Sequence, residues 1–521
     1  MNVIPPKADQ VAAIAASFGM RLTERELDAY TELVGGFLGS YDVVAELYRD
    51  IEPTAVEDRR FTWPAEDENA LNAWYVRTEI EGASDGPLQG YRVAVKDNTS
   101  VAGVPMMNGS HTLEGFVPRR DATVVTRLLE AGATIAGKAV CEDLCFSGTS
   151  HTGVGGPDRN PWDPTRTSGG SSSGSAALVA TGEVEVATAA DQGGSVRIPA
   201  CFTGVVGHKP TFGLVPYTGV FPIEMTLDEV GPIAHDVTDI ARMLQVIAGR
   251  DGLDPRQPDG LEVPDFEVAL DQDIVGLRVG LIAEGFEYPG LSDDGVDEVV
   301  RAAAESLGAA GAEVADIELP WHRHGLHLWN VIATDGATIQ MIDGNAYGHN
   351  WDGLYDPELI AYYGQKRREV AGEWSPTVKA ASFTGRWSIE KLYSSHYAMA
   401  RNLNFELRRR YDDALKEFDV LVLPTVPMIA PKLVDPEAPI QESVIRALET
   451  VANTAPFSAT GHPALTVPAG MVDGMPVGMM IVGRRFDDAT CLRIGRSYEQ
   501  IRGEFPLPPS VDSAARQGVG R

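Results

Sequence analysis

Basic residues are scarce in this sequence of 521 residues. Lysine and arginine number 43 against 74 aspartates and glutamates, which gives a net charge of −31. A surface this acidic repels phosphate groups, so we expect no nucleic-acid partner and no binding to anionic membranes. Long apolar runs are also missing, because no segment approaches the roughly 18 apolar residues of a membrane-spanning helix. The N-terminal residues lack the pattern of a signal peptide, and we expect a cytoplasmic protein.

Cysteine is scarce as well. The chain has four cysteines, Cys141, Cys145, Cys201 and Cys491, which are too few for a disulfide framework in so long a chain. Cys141 and Cys145 have no second pair of Cys or His at the spacing of a zinc site. We therefore expect no metal and no cofactor.

Residues 7–50 have the pattern of helices. Thr23 and Glu26 fit a capping box, and apolar residues then recur at helical spacing from Leu27 to Phe37. A helical segment this short cannot bury its apolar stripe alone. It must dock either on the rest of the chain or on a second copy in a homodimer. Residues 51–75 are polar and irregular, which is typical of a linker.

A different pattern begins at about residue 86. Short β-rich runs alternate with Ala-rich helical stretches and Gly-rich turns, which predicts an α/β fold with helices on the faces of a sheet. We expect an N-terminal helical extension and linker over 1–85 and a main domain over 86–508. Within that domain, 262–415 is predicted to be a mainly helical insertion. Residues 509–521 are predicted to be a loose tail.

Three segments carry candidate chemistry. Lys96 follows the apolar run 91–95, Ser171 lies in the Gly/Ser stretch 169–177, and Ser195 follows a pair of glycines. A serine hydroxyl is a poor nucleophile at neutral pH and needs a base within reach. A lysine can be that base only in its neutral form, which burial favours. An isolated lysine at a strand end is more often a surface residue. The residues that flank Lys96 are therefore needed to distinguish a surface lysine from a buried base.

The glycine pair suggests an oxyanion hole. Gly193 and Gly194 would let the amides of 192–195 point at one spot, where a developing negative charge needs donors. The donors would be the N–H groups of Gln192, Gly193, Gly194 and Ser195. Asp191 and Arg197 flank this turn, and we expect them to pair and hold its shape.

The Gly/Ser stretch has two other interpretations. Gly169 and Gly174 have the spacing of a phosphate-binding loop, but Ser175 stands where that motif needs lysine. Residues 170–174 also fit a nucleophile elbow with Ser172 as the nucleophile. That motif needs a strand directly before it, whereas 160–164 has the pattern of a loop.

These segments resemble the amidase signature family, as do residues 160–164, 204–211 and 231–233, and the resemblance spans about 86–500. Ser171 and Ser195 lie 24 positions apart, as the two serines of that family do. Gln192 and the N-terminal extension are most similar to the bacterial enantioselective amidases that act after nitrile hydratases, in which the extension contributes to a dimer. The resemblance implies a large mixed β-sheet covered by helices. It also implies that Ser195 attacks an amide, and that Ser171, held by a cis peptide bond, relays the proton to neutral Lys96. Ser172 and Ser173 would support this site.

The expected substrates are a small uncharged amide and water. Apolar walls are typical of such sites, and Phe146, Leu227 and Trp329 are candidates for them, with plain core packing as the alternative for each. Anilides, carbamates and peptide C-terminal amides stay open as substrates. The acidic charge argues against a tRNA-dependent amidotransferase. The remaining alternatives are a cysteine nucleophile of the nitrilase type and a catalytically inactive subunit for binding or assembly.

Overall fold

The computed structural model describes residues 3–56 and 58–509 of the chain. The chain divides into two compact units at Val56. Of the predicted loose tail, 510–521 lies outside the described residues.

The N-terminal unit contains two helices, α1 (Ala8–Ser17) and α2 (Glu24–Tyr48). The predicted capping box is confirmed, because the Thr23 hydroxyl accepts from the Glu26 N–H at 3.3 Å and the Glu26 carboxylate accepts from the Thr23 N–H at 2.8 Å. No residue of α2 is buried. Seven of its apolar side chains are exposed by half or more, namely Tyr30, Leu33, Phe37, Tyr41, Val43, Val44 and Leu47.

The second unit is built on one twelve-stranded sheet. Its strands are β1 (Phe61–Thr62), β2 (Trp74–Glu81), β3 (Arg92–Lys96), β4 (Thr134–Ala139), β5 (Val186–Asp191), β6 (Val206–Lys209), β7 (Glu229–Ala234), β8 (Arg278–Ile282), β9 (Glu313–Ile317), β10 (Val420–Pro424), β11 (Ala464–Val472) and β12 (Met475–Gly483). They lie in the order β1-β2-β4-β3-β5-β7-β6-β11-β12-β10-β8-β9. Parallel pairs join β3 to both β4 and β5, and β8 to both β9 and β10, while the other neighbours are antiparallel.

Helices cover both faces of this sheet. They are α3 (Thr123–Glu130), α4 (Ser173–Ala180), α5 (Arg197–Thr203), α6 (Val237–Ile247), α7 (Phe266–Leu270), α8 (Asp294–Ser306), α9 (Trp321–Ala337), α10 (Pro357–Glu369), α11 (Pro376–Leu392), α12 (Ser395–Glu417), α13 (Ile440–Leu448), α14 (Ala455–Thr460) and α15 (Asp488–Arg502). Successive strand side chains point to opposite faces. Accordingly, Val93 and Val95 pack in one apolar cluster with α3, whereas Ala94 packs in another with α4.

Strand β3 positions the candidate site. It runs parallel to β5, with Val93 opposite Val186 and Ala94 opposite Ala187. Parallel strands end at the same edge of a sheet, so Lys96 and Asp191, the last residues of the two strands, come close together there. The α/β prediction, with a large mixed sheet covered by helices, is confirmed.

Strands are also present where the sequence pattern did not predict them. The range expected to be a linker includes Trp74, the first residue of β2, so the sheet begins before residue 86. The range 262–415 is mostly helical, but it contributes β8 and β9 to the far edge of the sheet. Strand β9 buries none of its five residues, which hides it from a search for apolar runs. Among the described residues, no helix combines the length and the apolar character needed to cross a bilayer.

Candidate active site

Lys96 lies fully buried at the end of β3. Its Nζ donates to Ser171 Oγ at 2.8 Å and to the Ala190 carbonyl at 3.4 Å. Within 58–509 no carboxylate forms an ion pair with Lys96, because the neighbouring Asp97 pairs instead with Lys138 at 2.9 Å. The site thus holds a buried amine against a serine hydroxyl.

Ser171 is held by backbone contacts just before α4. The Gly170–Ser171 peptide bond is cis. The Gly170 N–H donates to the Gly148 carbonyl at 2.9 Å, and the Ser171 carbonyl accepts from the Glu142 N–H at 3.3 Å. These bonds fix the segment at both sides of the hydroxyl that faces Lys96.

The next two serines support this segment. Ser172 precedes α4, and its Oγ donates to the Ala190 carbonyl at 3.3 Å. Ser173 Oγ donates to Glu142 Oε1 at 3.4 Å. Burial raises the pKa of the Glu142 carboxyl to about 7, although hydrogen bonds from Thr152 and Ser173 act in the opposite direction.

Asp191 organises the loop that carries Ser195. Its carboxylate accepts two bonds from the Arg197 guanidinium, at 3.0 and 2.9 Å, and one each from the N–H groups of Gly194 at 2.7 Å and Val196 at 3.1 Å. Burial alone would raise the pKa of Asp191, but Arg197 outweighs it and the pKa is lowered. The carboxylate is therefore charged and ties the loop to the start of α5.

Both glycines of this loop are sterically required. A Cβ at Gly193 would lie 2.5 Å from the Trp329 ring, and one at Gly194, where φ is +141°, would overlap Thr454 Oγ1. Thr454 Oγ1 in turn donates to the Gly193 carbonyl at 2.5 Å. The loop is thus enclosed on two sides.

Three of the four expected oxyanion donors are available. Within the described part of the chain, the N–H groups of Gln192, Gly193 and Ser195 have no acceptor. Gly194 does not fit the expectation, because its N–H already donates to Asp191. An anion placed here would meet up to three backbone donors.

The Gln192 side chain presents a further free group. Tyr217 OH donates to the Phe221 carbonyl at 3.2 Å, so it must accept the 3.0 Å bond from Gln192 Nε2. This fixes the orientation of the carboxamide. Gln192 Oε1 is buried and has no partner within the described residues. A buried acceptor without a donor is costly, and a bound amide N–H would satisfy it.

A narrow apolar cavity of about 440 Å³ empty volume opens beside Ser195. Its walls include all three candidates from the sequence, Phe146, Leu227 and Trp329, together with Cys145, Ser147, Gly148, Gln192, Gly193, Ile223, Glu224, Ala333, Leu448 and Val451. Trp329 also binds the loop, since its Nε1 donates to the Gln192 carbonyl at 2.6 Å.

The structure brings the three candidate catalytic residues to one region but does not link all of them. Lys96 and Ser171 are hydrogen bonded, whereas Ser195 Oγ forms no hydrogen bond among the residues that the structure describes. Ser195 is 7% exposed and borders the cavity. No three His, Cys, Asp or Glu side chains within 3–56 and 58–509 are grouped to hold a metal ion.

Residues 42–492 match the model of the family described as Amidase. The chain belongs to the amidase family. An enantioselective amidase from Rhodococcus rhodochrous is 49% identical over 518 residues, which cover 98% of this chain and 99% of that protein. One subunit of the glutamyl-tRNA(Gln) amidotransferase from Exiguobacterium is 35% identical over 92% of this chain and 97% of its own length.

Solved structures support the assignment of this chain to the amidase family. A peptide amidase from Stenotrophomonas maltophilia superposes with a TM-score of 0.65 and 30% identity, covering 81% of this chain and 85% of that one. The corresponding glutamyl-tRNA(Gln) amidotransferase subunit from Thermotoga maritima gives 0.71 and 29%, covering 85% and 92%. The protein is an amide-hydrolysing enzyme.

Sequence reasoning missed several residues that build the site of this amidase. Ser458 Oγ accepts from Arg197 at 2.8 Å, and Thr454 holds the Gly193 carbonyl. Both lie more than 250 positions from the loop they support. Their spacing of four residues places them on one side of α14, which was the one available signal. Tyr217 and the cavity position of Cys145 had no local signal.

Proposed function

We propose that this amidase hydrolyses small apolar or aromatic carboxamides to a carboxylic acid and ammonia through an acyl-enzyme on Ser195. The observation that carries the proposal is the 2.8 Å bond between the buried amine of Lys96 and Ser171, next to a loop with three free backbone donors. In this proposal Ser195 is the nucleophile, Ser171 and Lys96 are the route for its proton, and the loop supplies donors for the oxyanion.

The proposed reaction starts with the attack of Ser195 Oγ on the amide carbonyl. The proton of Ser195 passes to Ser171, and the Ser171 proton passes to the neutral amine of Lys96. The oxyanion accepts from the free N–H groups of Gln192, Gly193 and Ser195. One such donor is worth about 3 kcal/mol of transition-state stabilisation. When the tetrahedral intermediate collapses, the leaving nitrogen takes the proton back from Lys96 through Ser171, and ammonia departs. Water then hydrolyses the ester by the same relay and releases the carboxylic acid.

Gln192 supports the choice of a primary amide. Gln192 lines the cavity beside Ser195, and its buried Oε1 is a hydrogen-bond acceptor without a partner among the described residues. The NH₂ group of a carboxamide has two donors, whereas an ester oxygen has none. A site with a buried acceptor discriminates against substrates that leave it unpaired.

The walls of the cavity support an apolar acyl group. Phe146, Leu227 and Trp329 line a space whose accessible wall is almost entirely apolar. By its similarity to the Rhodococcus enantioselective amidase, we expect this enzyme to distinguish the two enantiomers of an α-substituted amide. Its substrates would then be the products of a nitrile-hydrating enzyme.

An anilide or carbamate substrate is the second candidate. An outer cleft of about 1070 Å³ shares the walls Phe146, Trp329, Ala333 and Leu448 with the inner cavity. A bulky leaving group would have room there.

We also propose that the enzyme is a homodimer held by α2. This helix of 25 residues presents apolar side chains that are half or more exposed, such as Phe37 at 73% and Val44 at 65%. Burying such a stripe against a second copy would remove it from water. Light scattering of the parent and of a Phe37→Glu variant tests this proposal, since the variant should be monomeric.

Product release from a small panel tests the reaction. The panel contains propionamide, benzamide, the two enantiomers of 2-phenylpropionamide, an acetanilide and an ethyl carbamate, each run with the parent and with Ser195→Ala. Ammonia released from primary amides by the parent alone supports the proposal, whereas aniline or alcohol release selects the second candidate. If the protein were an inactive binding subunit, no substrate would react and a fluorophosphonate would not label Ser195.

A further inference from the structure

Cys145 borders the cavity but has no part in the proposed reaction. It shares the walls of that cavity with Ser195 and with Gln192, whose Oε1 is buried and has no hydrogen-bond partner among the described residues. Only 5% of the Cys145 residue is exposed. A small molecule that fills the cavity would therefore meet a thiol there.

The backbone at Cys145 has a conformation that residues other than glycine rarely adopt. Leu144 and Cys145 are consecutive non-glycine residues with φ of 47° and 57°, and Asn108, which contacts them, has φ of 52°. Left-handed residues other than glycine are strained and persist only where their surroundings fix them. Asn108 provides part of that support, because the thiols of Cys145 and Cys141 donate to its Oδ1 at 3.2 and 3.5 Å.

The surroundings of the thiol also favour its ionised form. Burial opposes ionisation. Against it act a hydrogen bond that the Cys141 thiol donates to the thiolate instead of to Asn108, the positive charge of protonated Lys96 and a hydrogen bond from Ser171, and together they lower the pKa of Cys145 to about 7. The thiolate is the nucleophilic form of cysteine.

The other cysteines have the opposite environment. Burial raises the pKa of Cys201 to about 12 and also raises those of Cys141 and Cys491. Each is at most 1% exposed, and none borders the cavity beside Ser195. Reactivity should therefore be confined to one of the four thiols.

We propose that Cys145 is a covalent modification site for small uncharged electrophiles that enter the substrate cavity, and that its modification stops amide hydrolysis. The second half rests on the proposed function, since it requires that this cavity bind the substrate. The first half does not, because it concerns only the thiol and the space in front of it.

2-Iodoacetamide is the matched probe, because it joins a primary carboxamide to an alkylating carbon. The Cys145 proton moves to the amine of Lys96, and the thiolate attacks the CH₂ carbon. A C–S bond forms, the C–I bond breaks and iodide leaves. The carboxamidomethyl group then occupies the cavity beside Ser195, and Lys96 returns its proton to water.

The test is to treat the full-length protein with 2-iodoacetamide, map the adducts by mass spectrometry and follow hydrolysis of a primary amide in parallel. We expect one adduct, on Cys145, and at least a tenfold loss of activity at the same rate. Cys145→Ser, measured against its own untreated sample, should keep its activity, whereas the matched control Cys201→Ser should lose activity as the parent does. The alkylation rate should rise with pH around 7.

The Ser195→Ala variant distinguishes the modification of Cys145 from the proposed hydrolysis by Ser195. It should still be alkylated at Cys145, whether or not Ser195 is the nucleophile, and benzamide should slow that alkylation by occupying the cavity. An unmodified Cys145 in the folded protein, or equal loss of activity in Cys145→Ser, would overturn the inference.

Discussion

Trp329 Nε1 donates a 2.6 Å hydrogen bond to the backbone carbonyl of Gln192. Trp329 is thus both a wall of the cavity and a support of the loop that carries Ser195. The Gly193 N–H belongs to the same trans peptide plane as this carbonyl, so it points away from the indole. Helix α9 therefore couples the shape of the acyl pocket to the geometry of the proposed oxyanion hole.

Replacement of Trp329 by phenylalanine tests this coupling. Trp329→Phe keeps an aromatic wall but removes the donor, at a cost of about 1 kcal/mol for one neutral hydrogen bond. We expect kcat to fall by about fivefold with a smaller change in KM, because the loop positions the transition state more than the ground state. Steady-state kinetics with benzamide measures both. Leu227→Val, which alters a wall without touching the loop, is the control and should change mainly KM.

Loss of the proposed nucleophile or base should remove activity and leave the fold intact. Ser195→Ala and Lys96→Met should each lower kcat by several orders of magnitude, as expected for residues of one catalytic unit. Circular dichroism checks that both variants fold. Ser172→Ala is the matched control, since it removes only weak bonds to the Ala190 peptide and should keep at least about a tenth of the activity. If Ser172→Ala were as inactive as Ser195→Ala, the nucleophile elbow would regain support.

The Gln192 carboxamide should select amides over esters. Gln192→Leu removes the free acceptor and should lower kcat/KM for benzamide by about 10- to 100-fold, because one good hydrogen bond to the reacting group is worth about 1.5–3 kcal/mol. Hydrolysis of methyl benzoate, which has no N–H, should change much less. Tyr217→Phe retains the carboxamide and removes only its anchor, so it should have an intermediate effect. Equal losses for the amide and the ester would show that Gln192 acts only on the loop.

Glu142 should make the fold less stable as the pH rises towards 7. Burial raises its pKa from an ordinary 4.5 to about 7, so between these values the folded protein holds a proton that the unfolded chain has lost. Stability from this group is therefore fully present below about pH 4.5 and is lost as the pH rises to 7, by up to about 3 kcal/mol. Urea unfolding between pH 4.5 and 7.5 measures how the free energy of unfolding changes with pH. Glu142→Gln, which cannot titrate, should have a flatter profile over this range.

The sequence was sufficient to predict the centre of the sheet and the three segments of the site. Central strands such as β3 and β5 are rich in apolar residues such as Val93, Val95 and Val186, because both of their faces are buried. Once the two strands are parallel neighbours, Lys96 and Asp191 must lie at the same edge. Motifs of glycine and serine, together with the resemblance to the amidase signature family, marked Ser171 and Ser195 as candidates without any knowledge of distant contacts.

Features that depend on distant contacts could not be predicted in this way. The β2–β4 pairing has two register irregularities, which disturb the alternation expected of a half-buried strand. A pair of glycines indicates that the backbone is free to turn, which is why the sequence predicts the Gly194 N–H in the oxyanion hole. It does not indicate that this N–H donates to Asp191 instead. The support from Thr454 and Ser458 joins segments that only the folded chain brings together.

The ion pair between Asp191 and Arg197 gives the last prediction. Both side chains are fully buried, and Arg197 also donates to the Thr454 carbonyl and to Ser458 Oγ, at 2.9 and 2.8 Å. Arg197→Met would leave the Asp191 carboxylate buried without its partner, which costs about 3–5 kcal/mol of unfolding free energy. Because the pKa of Asp191 is lowered from 3.8, the parent keeps this stability above about pH 4 and loses it as the pH falls further.

Urea unfolding at pH 7 and at pH 3 distinguishes the two proteins. The difference in unfolding free energy between the parent and Arg197→Met should be large at pH 7 and smaller at pH 3, which lies below the ordinary pKa of 3.8, so that the unfolded chain binds the proton of Asp191 and the parent loses part of the stabilisation by the ion pair. Arg301→Met is a suitable control, because Arg301 forms an exposed ion pair with Asp316 on β9, at the far edge of the sheet, and its loss should change the unfolding free energy little at either pH. A difference that is the same at both pH values would mean that Arg197 stabilises the fold by packing and by its bonds to Thr454 and Ser458, rather than by neutralising Asp191.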